Sequence, residues 1–88
     1  MQLLNLFTVY DVKKESYLPP FVMRTAAEAV RGFVTTLNDP KTDYCLYPQD
    51  FTLFHLGTFD DTKCVFDIYE ARKSLGNGVE LKRLGTTL

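Results

Sequence analysis

This chain of 88 residues has no tryptophan, one histidine and two cysteines. Cys45 and Cys64 lack the paired spacing of a zinc site and the C-x-x-C of a redox site. His55 stands alone between Phe54 and Leu56, with no partner to make it a general base or a metal ligand. It reads as a hydrogen-bonded structural or interface histidine. No phosphate loop, nucleophile elbow or H-E-x-x-H pattern occurs. The chain is therefore not expected to be an enzyme, and neither a cofactor nor a metal is expected. No apolar run approaches the roughly 20 residues that span a bilayer, so no membrane partner is expected. No signal-like segment precedes the first strand, and a reducing cytoplasm with two free thiols is the expected setting. A single Cys45–Cys64 disulfide stays open from sequence alone.

Net charge is scarce as well, at -1, and bulk electrostatics do not announce a nucleic-acid binder. The charge is unevenly placed. Residues 39–70 sum to -5 and residues 71–88 to +3, with Arg72, Lys73, Lys82 and Arg83 in the basic tail. Such asymmetry can steer partners or favour contact between subunits.

Aromatic and aliphatic residues are plentiful. Seven Phe and five Tyr are enough for one small core, so a single domain over 1–84 is expected, with 85–88 fraying. Its organising segment is Thr25 to Asn38. Ala26, Ala29, Val30, Phe33, Val34 and Leu37 recur at three- and four-residue steps, which places them on one stripe of a helix. Thr25 followed by Glu28 is a capping box, and Asn38-Asp39-Pro40 is a stop. One amphipathic helix cannot bury its stripe alone, so the flanking segments must supply a sheet.

Leu3–Val12 reads as a strand with apolar groups on both faces, Leu4, Leu6 and Tyr10 on one and Leu3, Phe7 and Val9 on the other. Tyr17–Arg24 is extended, with Pro19 and Pro20 confining it to an edge or imposing a break. Residues 39–50 read as a long loop. Phe51–Phe59 and Cys64–Tyr69 pair as a hairpin across Asp60–Lys63, and Gly57 marks a bulge or a close approach. Residues 71–75 read as a helical turn or irregular, 76–78 as a turn, and Val79–Leu84 as a short fifth strand. The expected fold is α+β. It is a small antiparallel sheet in the order strand-strand-helix-strand-strand, with one helix packed on a face. A small open Greek-key barrel is the alternative. Two-sided apolar patterning at 3–10 and 51–59 favours a homodimer.

Four segments together resemble a known family: YLPPF at 17–21, LNDP at 37–40, YPQDFTLFHLGTFDD at 47–61 and SLGNGVEL at 74–81. The chain resembles the small nonstructural protein of gokushoviruses, the microvirus branch of single-stranded DNA phages. The resemblance covers nearly the whole chain and carries no catalytic signature. It implies a role in viral DNA synthesis within the host cytoplasm, with single-stranded DNA and viral or host replication proteins as partners.

Against that background the basic residues have two assignments. Lys13, Lys14, Arg24 and Arg31 lie near Tyr17 and Phe21 in sequence, and Arg72, Lys73, Lys82 and Arg83 form a second group. Cations beside exposed rings are what single-strand binding requires, because phosphates attract charge and bases stack. The competing assignment makes these charges a solvated rim and these rings core. A dimeric protein-interaction adaptor without nucleic-acid contact is the alternative function. Asp60, Asp61 and Asp67 read as turn and solvation residues rather than a cation site.

Overall fold

The segment around Phe33 forms helix α1, Ala26–Leu37, as its stripe predicts. The computed structural model describes residues 3–86. Thr25 is the N-cap, and its hydroxyl accepts from the Glu28 N–H at 3.1 Å. Asn38 closes the helix through its backbone N–H to Val34 and Thr35 carbonyls. Ala29, Phe33 and Leu37 are buried.

They pack on a five-stranded antiparallel sheet. Its strands are β1 (Leu3–Asp11), β2 (Ser16–Tyr17), β3 (Phe21–Met23), β4 (Phe51–Asp60) and β5 (Val65–Asn77). The order is β2-β1-β4-β5, and β3 pairs with β1 further along the edge that β2 uses. Among the described residues no pairing joins β5 back to β2 or β3, so the barrel alternative does not form. The two prolines act as expected. Leu18, Pro19 and Pro20 separate β2 from β3, and the Leu18 N–H bonds to the Val9 carbonyl at 2.9 Å.

Phe7, Val9, Phe51 and Leu53 meet Ala29, Phe33, Leu37 and Leu81 in one buried cluster. Leu81 belongs to a helix that the sequence reading misassigns. Residues 79–84 are expected as a strand but lie within α3, Gly78–Thr86. The cause is a second capping box. The Asn77 side chain accepts from the Val79 N–H at 3.0 Å, and Glu80 accepts from the Asn77 N–H at 3.2 Å. The alternation Val79-x-Leu81 imitates a strand, whereas the Asn77-x-x-Glu80 pattern was the stronger signal. Gly85 and Thr86 continue this helix where fraying is expected, and residues 87–88 lie outside the described residues.

A 12-residue helix is about 18 Å long and cannot cover five strands. The expected single helix on the face is therefore joined by α3 and by a short helix α2, Asp43–Leu46, followed by a 3₁₀ turn at Pro48–Asp50. These elements occupy most of the expected loop. Lys82 ties α3 to α2 through Nζ, which donates to the Cys45 carbonyl at 2.9 Å.

Asn77 also donates from its side chain to the Gln49 and Phe51 carbonyls at 3.1 and 3.2 Å. Asn77→Ala is expected to cost about 2 kcal/mol, roughly half from the lost cap and half from these bonds. Urea denaturation checks it, and Asn77→Asp, which keeps the cap acceptor and loses the donors, should fall between.

β5 extends to Asn77 through residues 71–77, where a turn is expected. Its register against β4 shifts twice, between Leu53 and Phe54 and between His55 and Gly57. Those bulges break the two-residue period that would have announced a strand. Gly57 sits at one of them. A Cβ there would run into the Asp67 carbonyl and lie 2.9 Å from the Ile68 Cα, so the close approach expected of this glycine is real. Cys64 lies in the turn with φ 55° rather than in the strand. Both cysteines are free.

Candidate nucleic-acid interface

Side chains alternate across a strand, and antiparallel partners share a face. The face bearing Phe7 and Val9 is under α1. The opposite face carries Thr8 and Tyr10 of β1, with Tyr17 opposite Tyr10, and Phe54 and Ser74 in line with Thr8.

On this second face the rings converge. Tyr10 and Tyr17 centroids are 4.7 Å apart, and Tyr17 meets Phe54 edge-on at 6.1 Å. The Arg72 guanidinium carbon lies 5.0 Å from the Tyr17 ring centre and 5.5 Å from that of Phe54. Both distances are within cation–π range. Beside it, Thr8, Tyr17, Leu18, Pro20, Leu56 and Arg72 line an open cleft of about 290 Å³. That is at the lower edge of the about 300–1,000 Å³ usual for small-molecule sites, which suits a single planar ring. Tyr17 is 41 % exposed, so part of its ring reaches the surface beside Arg72.

The other candidates disperse. Lys13 and Lys14 are exposed on the β1–β2 turn, where their backbone N–H groups bond to the buried Asp11 carboxylate at 2.9 and 3.3 Å. Arg24 lies at the other end of β1, where its carbonyl accepts from the Asn5 side chain at 2.7 Å. Six residues of strand separate the Asn5 and Asp11 positions, about 20 Å. Arg31 is exposed on α1, across the sheet from Tyr17. Sequence proximity to the helix start therefore does not bring Arg24 and Arg31 to the lysines. Phe21 stacks on Phe7 at 5.8 Å, on the helix-covered face, and lines an apolar groove of about 370 Å³ between α1 and residues 18–23.

Arg72 and Lys73 part in the same way. Lys73 pairs with His55 and places its Nζ 4.7 Å from the Tyr69 ring centre. Lys82 is committed to Cys45, and Arg83 is exposed on α3. Of the predicted residues, Tyr17 and Arg72 come together, with Lys13 and Lys14 at the near end of the same strand pair. Phe54 and Tyr10 were missed. The spacing of Tyr10 and Tyr17 about a four-residue turn is the signal that pairs them.

His55 packs between Phe7 and Tyr69, with ring centroids at 4.8 and 5.0 Å, and its Nε2 lies 3.1 Å from the Asn5 side-chain oxygen. Burial lowers its pKa and nearby Lys73 lowers it further, against a backbone hydrogen bond to Gly57 that raises it. It is the structural histidine the sequence suggests. Burial, with the Asp11 carboxylate second, raises the Tyr44 pKa. Asp60 is a turn residue, its carboxylate accepting from the Thr62 and Lys63 N–H groups at 2.9 and 3.2 Å. Among the described residues no His, Cys, Asp and Glu side chains gather as a metal site. No helix among them is long and apolar enough to cross a membrane.

The geometry thus defines a small mixed α/β protein with one sheet face under helices and the other bearing rings and a guanidinium. Residues 4–81 match the family described as phage ORF5 protein, and the chain belongs to that family. It is a phage protein. No curated protein and no solved structure matches it.

Proposed function

We propose that this phage protein binds single-stranded DNA during viral DNA synthesis, without catalysis, in the host cytoplasm. Its source is a gokushovirus on this reading, and it acts alone or with viral or host replication proteins. The observation that carries the reading is Arg72 set over the Tyr17 and Phe54 rings on the sheet face away from α1. A guanidinium pairs with phosphate through a planar fork of donors, and the rings offer stacking surfaces that tolerate any base. Duplex DNA hides its base faces, so single strands are preferred. Lys13 and Lys14 supply further phosphate contacts at the end of β1.

Anisotropy of a labelled oligonucleotide at two salt concentrations tests this. Binding should weaken as salt rises, and Arg72→Ala should weaken it and flatten the salt slope by about one phosphate contact. Arg24→Ala with Arg31→Ala, across the sheet and beyond β1, should change little. No binding by the wild type at the lower salt would sink the reading.

The adaptor alternative keeps one observation in its favour. The far end of the same sheet face is apolar, with Phe66 and Ile68 each 56 % exposed. That surface suits protein rather than phosphate, and a chain that binds protein but never an oligonucleotide would be an adaptor.

A further inference from the structure

The apolar end of the sheet is built from two cross-strand rows. Leu4, Phe59 and Phe66 are register partners across β1, β4 and β5, and Leu6, Gly57 and Ile68 form the next row on the same face. Val22 of β3 extends the second row beyond Leu6 and is 41 % exposed. The Phe59 and Phe66 rings lie 4.7 Å apart. No charge interrupts either row; the bordering turn carries Asp60, Asp61 and Lys63, net -1, and further along β5 the exposed Glu70 stands beside Arg72 and Lys73, a segment of net +1.

Such a surface can meet a copy of itself without stranding a charge, the condition for a self-complementary two-fold contact. Two simple face-to-face arrangements exist. An axis along the strands would set each turn, net -1, on its own copy, which is repulsive. An axis across the strands sets each turn over the Glu70–Arg72 stretch of the other copy, so that Asp61 can face Arg72 and Lys63 can face Glu70. Charge complementarity selects the second.

We propose that two copies of this chain pack face to face through Phe59, Phe66, Ile68 and Val22, about a two-fold axis across the strands, with the Asp60–Asp61 turn of each against Arg72 of the other. Arg72 then meets either the partner's turn or a phosphate, so dimerisation and oligonucleotide binding draw on one cation. The inference deepens the protein-contact reading of this face and does not require that DNA is bound.

Sedimentation of the full chain over a range of concentrations, without DNA, tests it. The wild type should move from the mass of one 10.1 kDa chain to twice that. Phe66→Lys with Ile68→Lys should raise the dimer dissociation constant more than about tenfold, a cost above 1.4 kcal/mol. Both residues are exposed in the single chain, so circular dichroism should be unchanged. Arg72→Glu and Asp61→Lys should each weaken the dimer, and an equimolar mixture of the two should recover it. A wild type that stays monomeric at every concentration overturns any dimer. A wild-type dimer indifferent to the Phe66/Ile68 change overturns this face as its interface. Failure of the mixture to recover overturns the axis.

Discussion

Phe33→Ala is expected to destabilise the fold by about 3–5 kcal/mol, the usual cost of deleting a buried ring. Phe33 is 6 % exposed in the middle of α1. Its ring meets Tyr44 edge-on at 6.0 Å, and it shares the cluster with Phe7, Leu37 and Leu53, none of them measurably exposed. Neighbours so constrained cannot collapse to refill the space, so the cavity term adds to the lost transfer energy. Small domains hold only about 5–15 kcal/mol in total, and the loss would consume a large share of it. The midpoint of urea denaturation reads this directly. An unchanged midpoint would mean that α1 packs by another face.

The largest functional effect is expected from removing both rings beneath Arg72. Tyr17→Ala with Phe54→Ala should weaken single-strand binding by about 2–6 kcal/mol, at least about 25-fold, if each ring stacks one base. Tyr17→Phe should retain most of the affinity, because stacking needs the ring and not the hydroxyl. Tyr17 is at the surface, so this comparison separates loss of a contact from loss of the fold. Equal affinity in the double alanine variant, with an unchanged circular dichroism spectrum, would remove the rings from the interface and leave phosphate contact alone.

Local chemistry made much of this fold readable. The α1 stripe, its Thr25 cap and its stop before Pro40 lie within fifteen residues, and each is a nearest-turn effect. The β4–β5 hairpin, the break at Pro19-Pro20 and the close approach at Gly57 were legible for the same reason. Residues 71–77 were not, and in 78–84 only the Asn77-x-x-Glu80 spacing marked the helix. Their strand rests on pairing with β4 across bulges, and α3 rests on an Asn77 held simultaneously by Gln49, Phe51 and Glu80. Alternating apolar residues in so short a stretch do not distinguish a strand from a capped helix.

The candidate interface divides along the same line. Composition and spacing by themselves determined that cations and aromatics are available in a small α+β domain of near-neutral charge. Which of them meet was decided only by the tertiary structure. Arg72 reaches Tyr17 across 54 intervening residues because the sheet order β2-β1-β4-β5 brings their strands into one sheet and the β5 bulges set which residues turn to that face. Arg24 and Arg31, much nearer to Tyr17 in sequence, end elsewhere because a strand's length and a sheet's thickness intervene. Side-chain direction reverses at every residue of a strand, so a single bulge decides which face a cation serves. That information resides in the pairing of distant segments and in no local pattern.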